Sequence, residues 1–157
     1  MRIICILFVF FGFQQLKAQT IHVGGEVTKE LDLTKEDLAK MKRTTVTAKD
    51  KDGRDHTYKG VAVADILHLA GVTTGAQLRG GNLSKYLLVN CADGYAVVFS
   101  LAELDEAFTD RVVILADESD GHALPVDKGP WRIVVPGEKK PARSCFKVTS
   151  FNIGFAR

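Results

Sequence analysis

Three Asp-Gly pairs set the grain of this chain: Asp52-Gly53, Asp93-Gly94 and Asp120-Gly121. Asp and Gly accept the positive φ angles of tight turns whose twist matches that of paired strands, so each pair predicts a chain reversal. The flanking residues agree. Thr44-Thr45-Val46-Thr47 is rich in β-branched side chains and reads as a strand, with Arg54 to Tyr58 returning as its partner. Tyr86 to Asn90 is strongly apolar, and Ala96 to Phe99 pairs back with it. Val112 to Ala116 reads as a buried strand ahead of the third turn, which is Ser119-Asp120-Gly121.

Helices fit only between these hairpins. Thr34 is suited to cap a short helix from Lys35 to about Lys42, with Glu36 and Asp37 in the first turn where the helix dipole favours acids. Val61 to Ala70 is the clearest helix, because Val63, Ile66, Leu67 and Ala70 share one face. Gly71 supplies its left-handed stop. Ser100 and Glu103 form a capping box that opens a helix to about Phe108. Thr73 to Ser84 is Gly-rich and polar, hence a loop. Thr20 to Val27 reads as an opening strand and Trp131 to Val135 as a late one, closed by Pro136-Gly137. A loop over Glu138 to Arg143 follows, and Cys145 to Ile153 ends the chain as one long or broken strand. The pattern lacks regular strand-helix-strand alternation. It predicts an α+β domain, a mixed sheet with short helices packed on it.

The first residues bear on compartment. Met1-Arg2 is a short basic start, Ile3 to Phe13 is apolar, and Gln14-Gln15-Leu16-Lys17-Ala18 ends on a small residue. That is the pattern of a secretory signal peptide with cleavage after Ala18. The run is short of the roughly 20 apolar residues that span a bilayer. The expectation is a signal over 1–18, a single domain over 19–157, and a secreted or periplasmic protein that does not itself span a membrane once the signal is cut. Losing Arg2 and Lys17 lowers the basic count from 21 to 19, equal to the 19 acidic residues. A neutral chain offers no electrostatic footprint for nucleic acid.

Cys5 falls within the signal, leaving Cys91 and Cys145. An oxidising compartment permits them to pair, and a pair of small buried apolar residues is the alternative. His22, His56, His68 and His122 are scattered without the close spacing of a zinc site.

Four segments in order carry a family resemblance. They are Tyr58 to Leu67; Ala92-Asp93-Gly94-Tyr95 with Phe99 to Leu104; Val112 to Ala116 with Leu124-Pro125; and Gly129 to Gly137 followed by Ala142-Arg143-Ser144 and Lys147. From about Gly25 to Ile153 the chain resembles the oxidoreductase molybdopterin-binding domain, the catalytic-core fold of the sulfite oxidase family. The resemblance implies a sulfite-oxidase-like α+β fold and a molybdopterin cofactor. It also implies oxygen-atom transfer on small oxyanions or sulfoxides, and a redox partner or membrane subunit. Carried over by position, the cofactor-binding candidates are Asp93, Tyr95, Arg143, Ser144 and Lys147. Lys139 and Lys140 join them on charge alone, as further anion-binding candidates.

The sequence departs from the family in one place. The family's metal-ligating cysteine lies in the stretch before Lys59-Gly60-Val61, and here Thr45 to Gly53 contains none. Molybdenum in this family needs a soft, deprotonated sulfur, which Ala48, Lys49 and Asp50 do not offer. No metal ligand is therefore nominated. Two functions stay open: a periplasmic oxidoreductase component that binds molybdopterin, and a cofactor-free module that binds a small ligand or a protein on the same fold.

Overall fold

The computed structural model describes residues 19–156. The expected signal segment lies outside them. Among the described residues no helix is long and apolar enough to cross a membrane.

Two five-stranded sheets carry the chain. The first is ordered β2-β1-β10-β5-β6, from β1 (Thr20–Gly25), β2 (Leu31–Thr34), β5 (Lys85–Cys91), β6 (Ala96–Ser100) and β10 (Val148–Phe155). It is mixed, because β1 runs parallel to β10 while its other pairings are antiparallel. The second runs β3-β4-β7-β8, from β3 (Arg43–Lys49), β4 (Asp55–Ala62), β7 (Ile114–Ser119) and β8 (His122–Ala123). Its fifth strand, β9 (Arg132–Val134), also pairs with β7.

Period-two burial explains how the sheets meet. Ile21 and Val23 of β1, Leu87 and Val89 of β5, and Phe151 and Ile153 of β10 point into one core with Val61, Leu115 and Ile133 of the second sheet. The alternate residues of the second sheet, Tyr58, Ile114, Ala116 and Val134, form a smaller cluster on its other side. The first sheet has one buried face and one wet face; the second is covered on both.

The Asp-Gly turns fall where expected. Gly53, Gly94 and Gly121 all take positive φ, of +78°, +83° and +79°. Thr34 caps α1 (Lys35–Lys40) through a reciprocal capping box with Asp37. Two details differ from the sequence reading. First, β4 runs on through Val61 and Ala62, so α2 is only Val63–Leu69. Gly60 decides this: a Cβ there would lie 2.1 Å from the Leu115 carbonyl oxygen, so bare backbone lets β4 press against β7 at a bulge. Second, the Ser100 capping box is present but opens a single 3-10 turn, Leu101–Leu104. The buried Asp105 carboxylate ends it by taking the amides of Ala107 and Gly75 at 2.8 and 2.6 Å. Of the long and broken forms expected for the last strand, the broken one is present. Phe146 bridges Arg132, Lys147 turns the chain at φ +53°, and β10 begins only at Val148.

Candidate functional site

The turn between β5 and β6 and the segment entering β10 are brought edge to edge by strand pairing. Asp93 shapes the turn by accepting the Tyr95 amide at 3.0 Å. Tyr95 then donates its hydroxyl to the Ala142 carbonyl at 3.0 Å, and the Ala92 amide donates to the Lys147 carbonyl at 2.9 Å. Asp93, Tyr95, Arg143, Ser144 and Lys147 thus share one region, yet they do not converge on one point. Ser144 is buried, and its hydroxyl accepts the Val135 amide at 3.1 Å. Arg143 lies over the Phe99 ring at 4.6 Å and donates to Glu138 at 2.9 Å and to Glu103 at 3.1 Å. Burial opposes its charge, but the two carboxylates outweigh that and raise its pKa. Its fork is filled from within the protein. Lys139 and Lys140 stand exposed on the preceding loop.

Lys147 is different. Among the described residues its ammonium has no ion pair or hydrogen bond. It lines a cavity of about 280 Å³ with Gln19, Thr20, Val126, Trp131 and Thr149. Trp131 is 2% exposed, and its indole Nε1 is buried without a partner. Lys147, with its ammonium unpaired, and Thr20 line this pocket and suit an anionic ligand, whereas the Thr149 hydroxyl already donates to the Asn90 carbonyl at 3.1 Å.

Beside it sits a cluster outside the nominated residues, although Tyr58 and Arg132 lie in segments that carry the resemblance. Arg132 is only 3% exposed. Its Nη1 donates to Asp50 Oδ2 at 2.9 Å and to the Tyr58 hydroxyl at 3.0 Å, and Tyr58 donates onward to Asp50 at 2.9 Å. The guanidinium carbon lies 4.8 Å from the Tyr58 ring centre and 4.2 Å from that of Phe146. The ammonium groups of Lys51 and Lys128 lie 5.8 and 5.7 Å from the Phe146 centroid. Burial would raise the Asp50 carboxyl, but hydrogen bonds from Arg132, the Lys51 amide and Tyr58 hold it at about 2. Burial is also the main reason the Tyr58 hydroxyl is pushed up to about 12. The one signal in the sequence was a charged residue inside the apolar run Trp131 to Val135.

A larger cleft of about 880 Å³ opens elsewhere, between α2 and the segment 104–113, lined by Asp65, His68, Asp105, Asp110 and Arg111 among others. It contains none of the nominated residues, and Asp105 there is committed to backbone amides.

The donor set does not fit molybdenum held by a thiolate. Cys91 and Cys145 are both buried, and burial pushes both thiols above their ordinary pKa. Among the described residues no three His, Cys, Asp or Glu side chains are grouped to hold a metal. Asp50, in the cysteine-free stretch Thr45 to Gly53, is turned to Arg132 and Tyr58. Two of the four histidines serve surface pairings instead: His22 with Asp32, and His56 with Asp52 and Asp120.

The fold has a solved counterpart. The sulfane dehydrogenase SoxCD from Paracoccus pantotrophus is similar at 24% identity and a TM-score of 0.68, over 85% of this chain and 37% of that one. This chain therefore spans little more than a third of the relative's length, and the likeness speaks to the fold. No curated protein matches the sequence. The family model described as "Oxidoreductase molybdopterin binding domain" matches residues 13–142, a span that stops just before Arg143 and Lys147. With most of its length covered by that match, the chain belongs to the oxidoreductase molybdopterin-binding domain family.

Proposed function

We propose that this chain is an exported member of its family that keeps a ligand-binding face without the metal-ligating thiolate. It works as a binding module for a small anionic molecule in the Lys147 cavity. The observation that carries the reading is the contrast between two neighbouring places. Where the family's sulfur is expected, Asp50 is neutralised by Arg132 and Tyr58. One step away, Lys147, whose ammonium has no partner among the described residues, lines a cavity together with Trp131 and Thr20.

The cavity, at about 280 Å³, is just under the roughly 300–1,000 Å³ of pockets that enclose drug-sized ligands. It suits a phosphate-bearing fragment better than a whole pyranopterin with its metal. The phosphate end of the family's cofactor is the first ligand to try. The family match itself favours a second reading, a molybdopterin-dependent component of a periplasmic redox system with a partner subunit.

The experiment is to express the chain with residues 1–18 in a host that makes the molybdenum cofactor, then measure compartment, mature N-terminus, molybdenum and pterin per chain. The expected result is protein outside the cytoplasm, beginning after Ala18, without stoichiometric molybdenum. One molybdenum per chain overturns the reading in favour of the redox component. Retention of an intact N-terminus in the cytoplasm overturns the export.

A further inference from the structure

Two buried thiols lie close in sequence to residues that line the Lys147 cavity. Cys91 is the last residue of β5, 6% exposed, and stands opposite Val148 in the β5–β10 register. Cys145 is 4% exposed and fixed by its backbone: its amide donates to the Arg143 carbonyl and its carbonyl accepts the Ile133 amide, both at 2.9 Å. Both belong to the main core, and the pairing of β5 with β10 sets Cys91 against Val148, three residues on from Cys145. Neither is bonded to anything covalently. Their neighbours face outward: Ala92, next to Cys91, and Lys147, two residues after Cys145, both line the cavity and are joined by the 2.9 Å bond from the Ala92 amide to the Lys147 carbonyl.

We propose that Cys91 and Cys145 become a disulfide when the chain folds under oxidising conditions, and that this bond fixes the floor of the Lys147 cavity. Two S–H bonds break and one S–S bond forms. The two electrons go to the disulfide of an oxidising thiol compound, whose S–S bond breaks through a mixed-disulfide intermediate, and the two protons end, by way of solvent, on the two thiols it releases.

Burial dictates the timing. Thiolates are the attacking species, and both thiols are held protonated and out of solvent once the core is closed. The bond is therefore made before β10 seals against β5. Once made, the same burial shields it from reductants. A fully folded, reduced domain is correspondingly slow to oxidise. The effect on the cavity rests on the binding reading above, whereas formation of the bond depends on neither a ligand nor export.

The test uses the full chain carrying Cys5→Ser, so that only the two core thiols are counted. Reduced, unfolded protein is diluted into a glutathione redox buffer, and folded reduced protein is placed in the same buffer for the same time. Both are then denatured, alkylated and weighed. The expected result is no alkylated thiol after oxidative refolding and two alkylated thiols in the sample that was folded first. Two free thiols, or two glutathione adducts, in the refolded sample overturn the proposal. Rapid loss of both thiols in the folded sample overturns the timing. A Cys145→Ala variant guards against misreading: reductant should lower the urea midpoint of the refolded parent and leave that of the variant unchanged. Inorganic phosphate titrations of the oxidised and reduced forms read the effect on the cavity, with several-fold weaker binding expected for the reduced form. Equal binding by the two forms overturns the cavity claim. A domain that binds phosphate in neither form defeats the binding reading while leaving the disulfide standing.

Discussion

Arg132 and Asp50 are 82 residues apart in the chain and 2.9 Å apart in space. The guanidinium is almost fully buried, and the carboxylate is 15% exposed. Removing either partner leaves the other charge uncompensated, a change that typically costs about 3–5 kcal/mol. Arg132→Met and Asp50→Asn are each expected to lower the urea midpoint strongly. Arg132→Lys should rescue little, because an ammonium cannot bridge Asp50 and Tyr58 while lying flat between two rings. A double-mutant cycle in urea checks this; near-additive losses would show that the pair is not coupled.

The same carboxylate sets an acid limit. Asp50 is depressed from an ordinary 3.8 to about 2 in the fold. Its contribution, about 2 kcal/mol, is fully present above pH ~4 and fades as pH falls towards ~2. Stability measured across that window should fall steeply in the parent and less so in Asp50→Asn.

His56 works in the opposite direction. It sits 2.6 Å from Asp120 and 3.0 Å from Asp52, joining the β3–β4 turn to the β7–β8 turn. Hydrogen bonds to these carboxylates raise its pKa above the ordinary 6.5. Its contribution is complete below about 6.5 and is lost as pH rises through the higher folded value. Thermal midpoints between pH 5 and 9 should therefore decline on the alkaline side through a transition that His56→Gln abolishes.

Gly60 should be far less replaceable than Gly81. The Cβ of Gly60→Ala would lie 2.1 Å from the Leu115 carbonyl oxygen, whereas nothing lies within 4 Å of the same position at Gly81. Gly60→Ala is expected to lose at least about 1–3 kcal/mol through forced separation of β4 and β7. Gly81→Ala should stay within about 0.5 kcal/mol of the parent. Chemical unfolding of the two variants side by side decides it.

Lys147 and Arg143 should separate binding from folding. Lys147 holds a left-handed backbone at φ +53°, so Lys147→Gly removes the ammonium and relieves about 1 kcal/mol of strain. Phosphate binding is expected to weaken roughly tenfold, about the 1.4 kcal/mol of one lost charged contact, without loss of stability. Arg143→Ala should do the reverse, lowering stability while leaving phosphate affinity within about twofold, because its fork already serves Glu103 and Glu138. Calorimetry and urea unfolding on both variants give the comparison.

Short-range chemistry accounts for what could be read from the sequence. Asp-Gly turns, the Thr34 cap and the Val63 to Ala70 face are set by residues a few positions apart, and they appear where the pattern places them. The helix after Ser100 did not extend, because its stop depends on Asp105 reaching a loop 30 residues earlier. The candidate site divides in the same way. The order of motifs brought Asp93, Tyr95 and Lys147 into one region. Hydrogen-bond partners then decided which of them is free, and two of those partners are distant in sequence: Glu103 for Arg143, and Ala142 for Tyr95. Arg132 was passed over because a lone arginine in an apolar strand has no local signature of its partners.

The parallel pairing of β1 with β10 has a consequence for the order of assembly. β10 is not an edge strand; it lies between β1 and β5, and without it the first sheet is two separate hairpins. A growing chain can form those hairpins but cannot join them until Val148 to Phe155 has been made. The sheet thus rests on pairings between residues far apart in sequence, and its central strand follows the four strands it joins. Any machinery that acts on the unfolded polypeptide can meet it before that strand is made, and a chain stopped short of Val148 would carry the two halves of the sheet with nothing between them.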